Sequence, residues 1–315
     1  MPEYDVNSQH KSARFRSHGG EDVAPQTSNA KLAEALGLSV STAAWDGYEL
    51  PEALASMARL GITGVEIAYI RGYVNEFTDS DLNTALAREL RHEMARHGQH
   101  CRVLSAHIDL GEPGALESFA VRVRFAAELG ADYLITNAAS RAGSDRFFAN
   151  ADAMADLARE AGVRVCLENP GDGSDNLLDR AADLPAVLER LDRAVFGINY
   201  DPGNLVSHRP ALEPVEDALE AVALSDHFHL KAVHRDTEGY RFAPMGQGDI
   251  DYVPILAAIA KRRLPFSLEL PFRLRRDSHA QPWKGSAPLA LETIEQGVTD
   301  SLQWLRAHYP GLQSL

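Results

Sequence analysis

Two cysteines, Cys101 and Cys166, are all that this 315-residue chain contains. Two thiols cannot build a disulfide framework, so a reducing cytoplasm is the expected compartment. Both lie in apolar runs and read as small core fillers, not thiolate ligands. Basic residues are also scarce: 31 Lys and Arg face 45 Asp and Glu, for a formal net charge of −14. A nucleic-acid surface calls for a basic face, so that class of partner is not expected. No apolar run approaches the ~20 residues of a membrane span, and the polar first thirty residues carry no leader-type apolar stretch. No Gly-x-Gly-x-x-Gly follows the first strand-like run, which weakens a dinucleotide reading.

What the chain does have is alternation. Apolar residues make up 45% of it, enough for a sizeable core. Short apolar runs recur at 38–45, 64–70, 101–108, 132–138, 163–169, 195–201, 227–233 and 265–271. Each is followed by a helix-like run, and several of these end in glycine, at Gly61, Gly98, Gly130 and Gly162, as a left-handed C-cap prefers. Strict strand–helix alternation means parallel strands joined by crossover helices. Eight such units favour a closed (β/α)8 TIM barrel over an open sheet. The expected organisation is a polar, disordered tail over 1–34 followed by a single barrel domain over 35–315, with a long loop at 234–250.

Strand periodicity then places the polar residues. Alternate strand residues face the barrel axis and the rest face the helices. On that count Glu66, His107, Glu168, Asp201, His227, His229, Lys231 and Glu269 all point inward. Most lie near the C-terminal strand ends, where barrel active sites are built. Glu168, Asp201, His229 and Glu269 come from four consecutive strands. Three converging carboxylates repel one another unless a cation sits among them. With one imidazole they suit a divalent ion: Mn(II) first, with Mg(II), Co(II) or Zn(II) as alternatives. His227 lies one step deeper and reads as a packing residue or a support to the ligands. Trp45, at the end of the first strand, is a candidate stacking wall for a sugar or a core residue. The loop after the eighth strand carries Arg273, Arg275, Arg276, His279 and Trp283. Of these, Arg275 is the candidate for substrate contact. The loop at 234–250, with Arg235, Arg241 and Gln247, is a candidate lid.

Six pieces carry a resemblance: GITGVEIAY, CLENPG, DPGN, HFHLKAV, GQGDIDY and SLELP, in that order along the chain. Together the chain resembles the xylose isomerase-like barrel superfamily, in particular its sugar and sugar-phosphate isomerases and epimerases. The resemblance implies that Glu168, Asp201, His229 and Glu269 bind one divalent metal and that the two glutamates act as paired bases on either face of the substrate. It places His107 beside the substrate as a polar or acid–base group, and Glu66 among the substrate contacts. Two positions depart from the pattern. Asn204 stands where a substrate-contacting histidine is common, and Ala232 replaces the acid that often follows the strand-seven lysine, here Lys231. Endonucleases on the same barrel use a trinuclear zinc cluster with many more histidines, which this chain lacks.

The implied reaction is metal-dependent isomerisation or epimerisation of a sugar. A proton is removed beside a carbonyl and a metal-stabilised enediolate results. Lys231 is a candidate to stabilise the oxyanion, or else a structural ion-pair partner of Glu66 or Asp201. The same first step also serves a lyase, such as an inosose-type dehydratase or an enzyme eliminating the aglycone of 3-keto glycosides. A third reading is a non-catalytic partner subunit. The expected partner is a small-molecule sugar, with a homo-oligomer or hetero-complex left open.

Overall fold

The computed structural model describes residues 29–30, 34, 36–74 and 76–310. Strands β1 (Leu38–Ser41), β2 (Gly64–Ala68), β3 (His100–Ser105), β4 (Tyr133–Asn137), β5 (Arg164–Glu168), β6 (Phe196–Tyr200), β7 (His227–Leu230) and β10 (Phe266–Leu268) are parallel. They close into a barrel in the order β1-β10-β7-β6-β5-β4-β3-β2. This is the TIM barrel that the alternation predicts.

The crossover helices are α1 (Leu50–Arg59), α2 (Thr84–Arg96), α3 (Ala115–Leu129), α4 (Ser144–Ala161), α5 (Leu184–Leu188), α7 (Pro214–Val222) and α8 (Val253–Arg262), with α9 (Leu291–His308) closing the ring. Each buries one apolar stripe. In α1 it is Ala53, Leu54 and Met57; in α3 it is Phe119, Val123 and Ala126. Helices α3 and α4 stop at Gly130 and Gly162, whose φ values of 80° and 69° suit a residue without Cβ. The strands are buried on both faces, so the outward face packs Leu167, Ile198, Leu230 and Phe266 against the helices. Each fully buried residue of this size contributes roughly 1.5–3 kcal/mol. No described helix is long and apolar enough to cross a membrane.

Four regions differ from the sequence expectation. The run 38–45 is strand only to Ser41; Thr42–Trp45 form a 3-10 turn, begun where the Ser41 hydroxyl accepts from Ala43 N. Seven residues after β6, Pro202–His208, form an additional helix, α6, capped by Asp201 Oδ1 accepting from Asn204 N. Asn29 and Ala30, inside the segment expected as tail, are helical, and the Asn29 amide donates to Leu60 O. Most of that segment lies outside the described residues.

The fourth difference positions the site. The loops after β7 and β10 are one sheet. Strands β8 (Ala232–Asp236) and β9 (Gly239–Ala243) form a hairpin from the first loop. Strands β11 (Leu274–Arg276) and β12 (Pro282–Lys284) come from the second. Arg275 pairs with Arg241 and Arg276 with Tyr240, giving the order β12-β11-β9-β8.

Candidate metal centre and its cavity

Glu168 ends β5, Asp201 follows β6, His229 lies in β7 and Glu269 follows β10. All four are at most 1% exposed. One ligand atom from each lies within 4.8 Å of the other three. Among the described residues Asp201 Oδ2, His229 Nδ1 and Glu269 Oε2 have no hydrogen-bond partner. A buried polar atom left unpaired costs about 1–3 kcal/mol, and more when charged. Two of them, Asp201 Oδ2 and Glu269 Oε2, contact the Lys231 ammonium without a hydrogen bond, and a further cation among the four residues would satisfy all three. Charge agrees. The buried carboxylates Glu66, Glu168, Asp201 and Glu269 are accompanied by two buried cations, Lys231 and Arg276. With His229 neutral, as a metal ligand must be, four against two leaves a deficit of two charges, that of one divalent ion. Three carboxylates and one imidazole are a donor set that Mn(II), Mg(II), Co(II) and Zn(II) accept. The residues present therefore fit such an ion.

Each ligand is held from behind. Glu168 Oε1 accepts from Asn204 Nδ2 at 2.8 Å, and Oε2 from Asn199 Nδ2 at 2.9 Å. His227 Nδ1 lies 2.7 Å from Asn199 Oδ1, so the histidine orients the amide that orients Glu168. Asp201 is fixed through its backbone, which exchanges two hydrogen bonds with the Asn169 side chain. His229 turns Nε2 to Glu66 Oε2 at 3.1 Å and Nδ1 toward Glu168, Glu269 and Asp201 at 3.3–3.9 Å. A carboxylate behind a metal-binding imidazole fixes its tautomer and strengthens it as a ligand. Glu66 is thus placed behind His229 and not in the substrate cavity, in contrast to the sequence expectation.

Lys231 has its ammonium 2.6 Å from Asp201 Oδ2, against Glu269 Oε2, and 3.1 Å from Asn204 Oδ1. Of the two ion pairs open in sequence, that with Asp201 forms. Both carboxylate contacts are ion pairs without hydrogen-bond geometry.

Electrostatics keeps both glutamates ionised. Burial acts to raise Glu168, but His229 and His107 outweigh it and hold its carboxyl below the usual value. Burial likewise opposes the stronger lowering of Glu269 by Lys231 and His229. Asp201 is raised to about 6: burial dominates, Lys231 offsets part, and Glu168 and Glu269 add to it. His229 resists burial and is raised well above its usual value by Glu66, Glu168 and Glu269. His227 is pushed well down by burial and by His229, so it stays neutral.

The cluster opens into a cavity of about 400 Å³ at the C-terminal barrel mouth, within the range of small-molecule sites. His107, Glu168, Asn204, Lys231 and Glu269 line it, and Gln281 and Pro282 of the small sheet form part of its wall. His107 Nε2 has no hydrogen-bond partner and lies 3.4 Å from Glu168 Oε2. Asn204 lines the wall with its amide fully engaged: Nδ2 donates to Glu168 and to Asn169 O, while Oδ1 accepts from Lys231 and Arg276.

Two candidates are not brought together with these. Trp45 is buried with its indole N–H donating to Ser56 in α1, so it is a core residue outside the site wall. Arg275 faces away; its guanidinium lies over the Trp283 ring. Its neighbour Arg276 points inward, 1% exposed, and donates to Ser207 Oγ, Tyr73 Oη and Asn204 Oδ1. Alternation in β11 separates the two arginines, a signal hidden when the segment is read as a loop. Arg235 and Arg241 of the expected lid stack near Tyr240 or pair with Asp236, and neither lines the cavity. Burial pushes both cysteine thiols up, in keeping with core filling.

The sequence profile of the xylose isomerase-like TIM barrel family matches residues 54–308. No curated protein matches the chain significantly. Among solved structures, D-psicose 3-epimerase with D-tagatose from Clostridium cellulolyticum H10 superposes with a TM-score of 0.67 at 16% identity, covering 86% of this chain and 99% of that one. An L-ribulose 3-epimerase gives 0.64 at 16% identity, covering 88% and 95%. The probable 3-DHS dehydratase AsbF of Bacillus anthracis gives 0.61 at 15% identity, covering 85% and 98%. At these identities the likeness is one of fold.

Proposed function

The chain belongs to the xylose isomerase-like TIM barrel family, and from that premise we propose that it is a divalent-metal-dependent sugar isomerase or epimerase. The observation that carries this reading is the convergence of Glu168, Asp201, His229 and Glu269, three of them with a buried atom that has no hydrogen-bond partner among the described residues. The solved epimerases that share the fold support it. When bound by these four residues, the ion would supply Lewis-acid polarisation of a substrate carbonyl.

The protein's own groups do the rest. Glu168, ionised and clamped by two amides, is positioned to take a proton from the carbon beside the carbonyl. Glu269, ionised beside Lys231, is the group for the opposite face. His107, unpartnered and facing the cavity, exchanges a proton with a substrate hydroxyl. Return of the proton to the other face of the same carbon is epimerisation; return to the adjacent carbon is isomerisation. The only guanidinium lining the cavity among the described residues, Arg71, pairs with Asp79, which favours an uncharged sugar over a phosphorylated one.

The lyase reading keeps a specific support. Asn204, saturated by Glu168, Asn169, Lys231 and Arg276, has no donor left for a sugar hydroxyl, and a dehydratase is among the proteins that share the fold. One experiment separates the two. The Mn(II)-loaded protein is incubated in heavy water with neutral ketoses, an inosose and a 3-keto glycoside, and followed by NMR. Deuterium entering beside the carbonyl without loss of a substituent is the expected result. Release of water or aglycone moves the assignment to a lyase. Neither event, with metal bound, overturns catalysis of this type.

A further inference from the structure

Lys231 is built into this site more firmly than a substrate-contacting side chain needs. Its backbone N–H donates to Tyr252 Oη at 3.2 Å, and the Tyr252 hydroxyl donates back to Lys231 O at 2.8 Å; both residues are at most 1% exposed. Gly203 packs directly on its stem: a Cβ there would lie 2.5 Å from Lys231 O and 2.8 Å from Lys231 Cβ. The stem is therefore held along its length, and the ammonium has one place to go. That place is a cage of three oxygens, Asp201 Oδ2, Glu269 Oε2 and Asn204 Oδ1.

Two of those three oxygens belong to carboxylates of the four-residue cluster, and neither has a hydrogen bond. An ion held by the four ligands thus shares two carboxylates with a fixed positive charge. Four buried carboxylates could neutralise two divalent ions; with Lys231 and Arg276 buried beside them, they neutralise one. We infer that Lys231 is a built-in second cation of this centre: its ammonium shares the Asp201 and Glu269 carboxylates with a bound divalent ion and weakens the hold on that ion.

The inference rests on the metal reading, and its test is a binding measurement that does not need the substrate. Mn(II) is titrated calorimetrically into the chelator-treated wild type, Lys231→Met, Lys231→Gln and Lys231→Arg. Circular dichroism and thermal melts check the fold of each. A unit charge a few ångströms from a divalent ion repels it strongly in a buried site. The wild type is expected to bind one ion per chain. Both neutral variants are expected to bind the first ion at least about tenfold more tightly. Lys231→Arg, which keeps the charge, is expected to stay near the wild type. Unchanged or weaker affinity in both folded neutral variants overturns the inference. So does loss of the fold in both, which would make the ammonium a structural counter-ion alone. A wild type that binds no ion while a neutral variant does supports it. Absence of binding in all four removes the metal reading itself and the inference with it.

Discussion

The molecule has two cavities of similar size and opposite character. One, of about 440 Å³, lies outside the barrel between α1, α2 and the segment after β2, walled by Trp45, Tyr48, Tyr69 and Phe77. The other, of about 400 Å³, is the barrel mouth. Both contain carboxylates. In the outer cavity Glu49, Glu76, Asp81 and Glu89 are exposed, and the buried Asp46 is paired with Arg273 and Lys284. At the barrel mouth Glu168 and Glu269 are buried, and Glu269 Oε2 has no hydrogen bond. Volume does not separate the two. What separates them is the crowding of buried carboxylates that the groups around them only partly offset, which a fold tolerates where something binds.

That contrast can be broken or sharpened by experiment. The largest effect belongs to Glu269→Gln, which removes a ligand charge at constant shape. Mn(II) affinity by calorimetry should fall by more than the ~10–100-fold typical of an outer partner; retained affinity would put the ion elsewhere. Glu66→Gln touches neither ion nor cavity, yet frees the far side of the His229 ring, and a loss of about 10–100-fold is expected. Acidity comes next. Asp201 is raised to about 6 from 3.8, so its contribution to the stability of the metal-free protein is complete below pH 3.8 and is lost as pH rises through about 6. Above that, the buried carboxylate needs a cation. The rise in melting temperature on adding Mn(II) should therefore be small at pH 5 and larger at pH 7; a rise independent of pH would count against Asp201 as a ligand. The smallest effect is at the outer cavity. Burial first, then Asp81, Glu49 and Glu89, push the Tyr69 hydroxyl up to about 12. Tyr69→Phe should leave Mn(II) affinity unchanged and stability within about 0.5 kcal/mol by urea unfolding.

Strand period and strand end together made the cluster of Glu168, Asp201, His229 and Glu269 legible in the sequence, because each lies on or one residue beyond a regular strand. The barrel was legible for the same reason: periods of two and 3.6 alternate with little interruption. What failed to show was whatever depends on partners distant in sequence. Glu66 faces the axis as its parity predicts, but its role behind His229 joins residues 163 positions apart. Asn199 and Asn169 are ordinary polar residues until Glu168 and Asp201 are set beside them. Trp45 could not be separated from a sugar wall without knowing that Ser56 takes its N–H. Arg275 and Arg276 are adjacent and chemically identical, so only their strand assignment tells them apart.

The sheet over the mouth adds a constraint of a different order. In most barrels the connecting loops vary one at a time, and specificity drifts by independent replacement. Here the segments after β7 and β10 share a ladder, Arg275 opposite Arg241 and Arg276 opposite Tyr240. Neither segment can be exchanged without unpairing the other. For descendants of this sequence, and for anyone recombining it, the two loops are inherited together or not at all, and a change of substrate has to pass through paired changes on both.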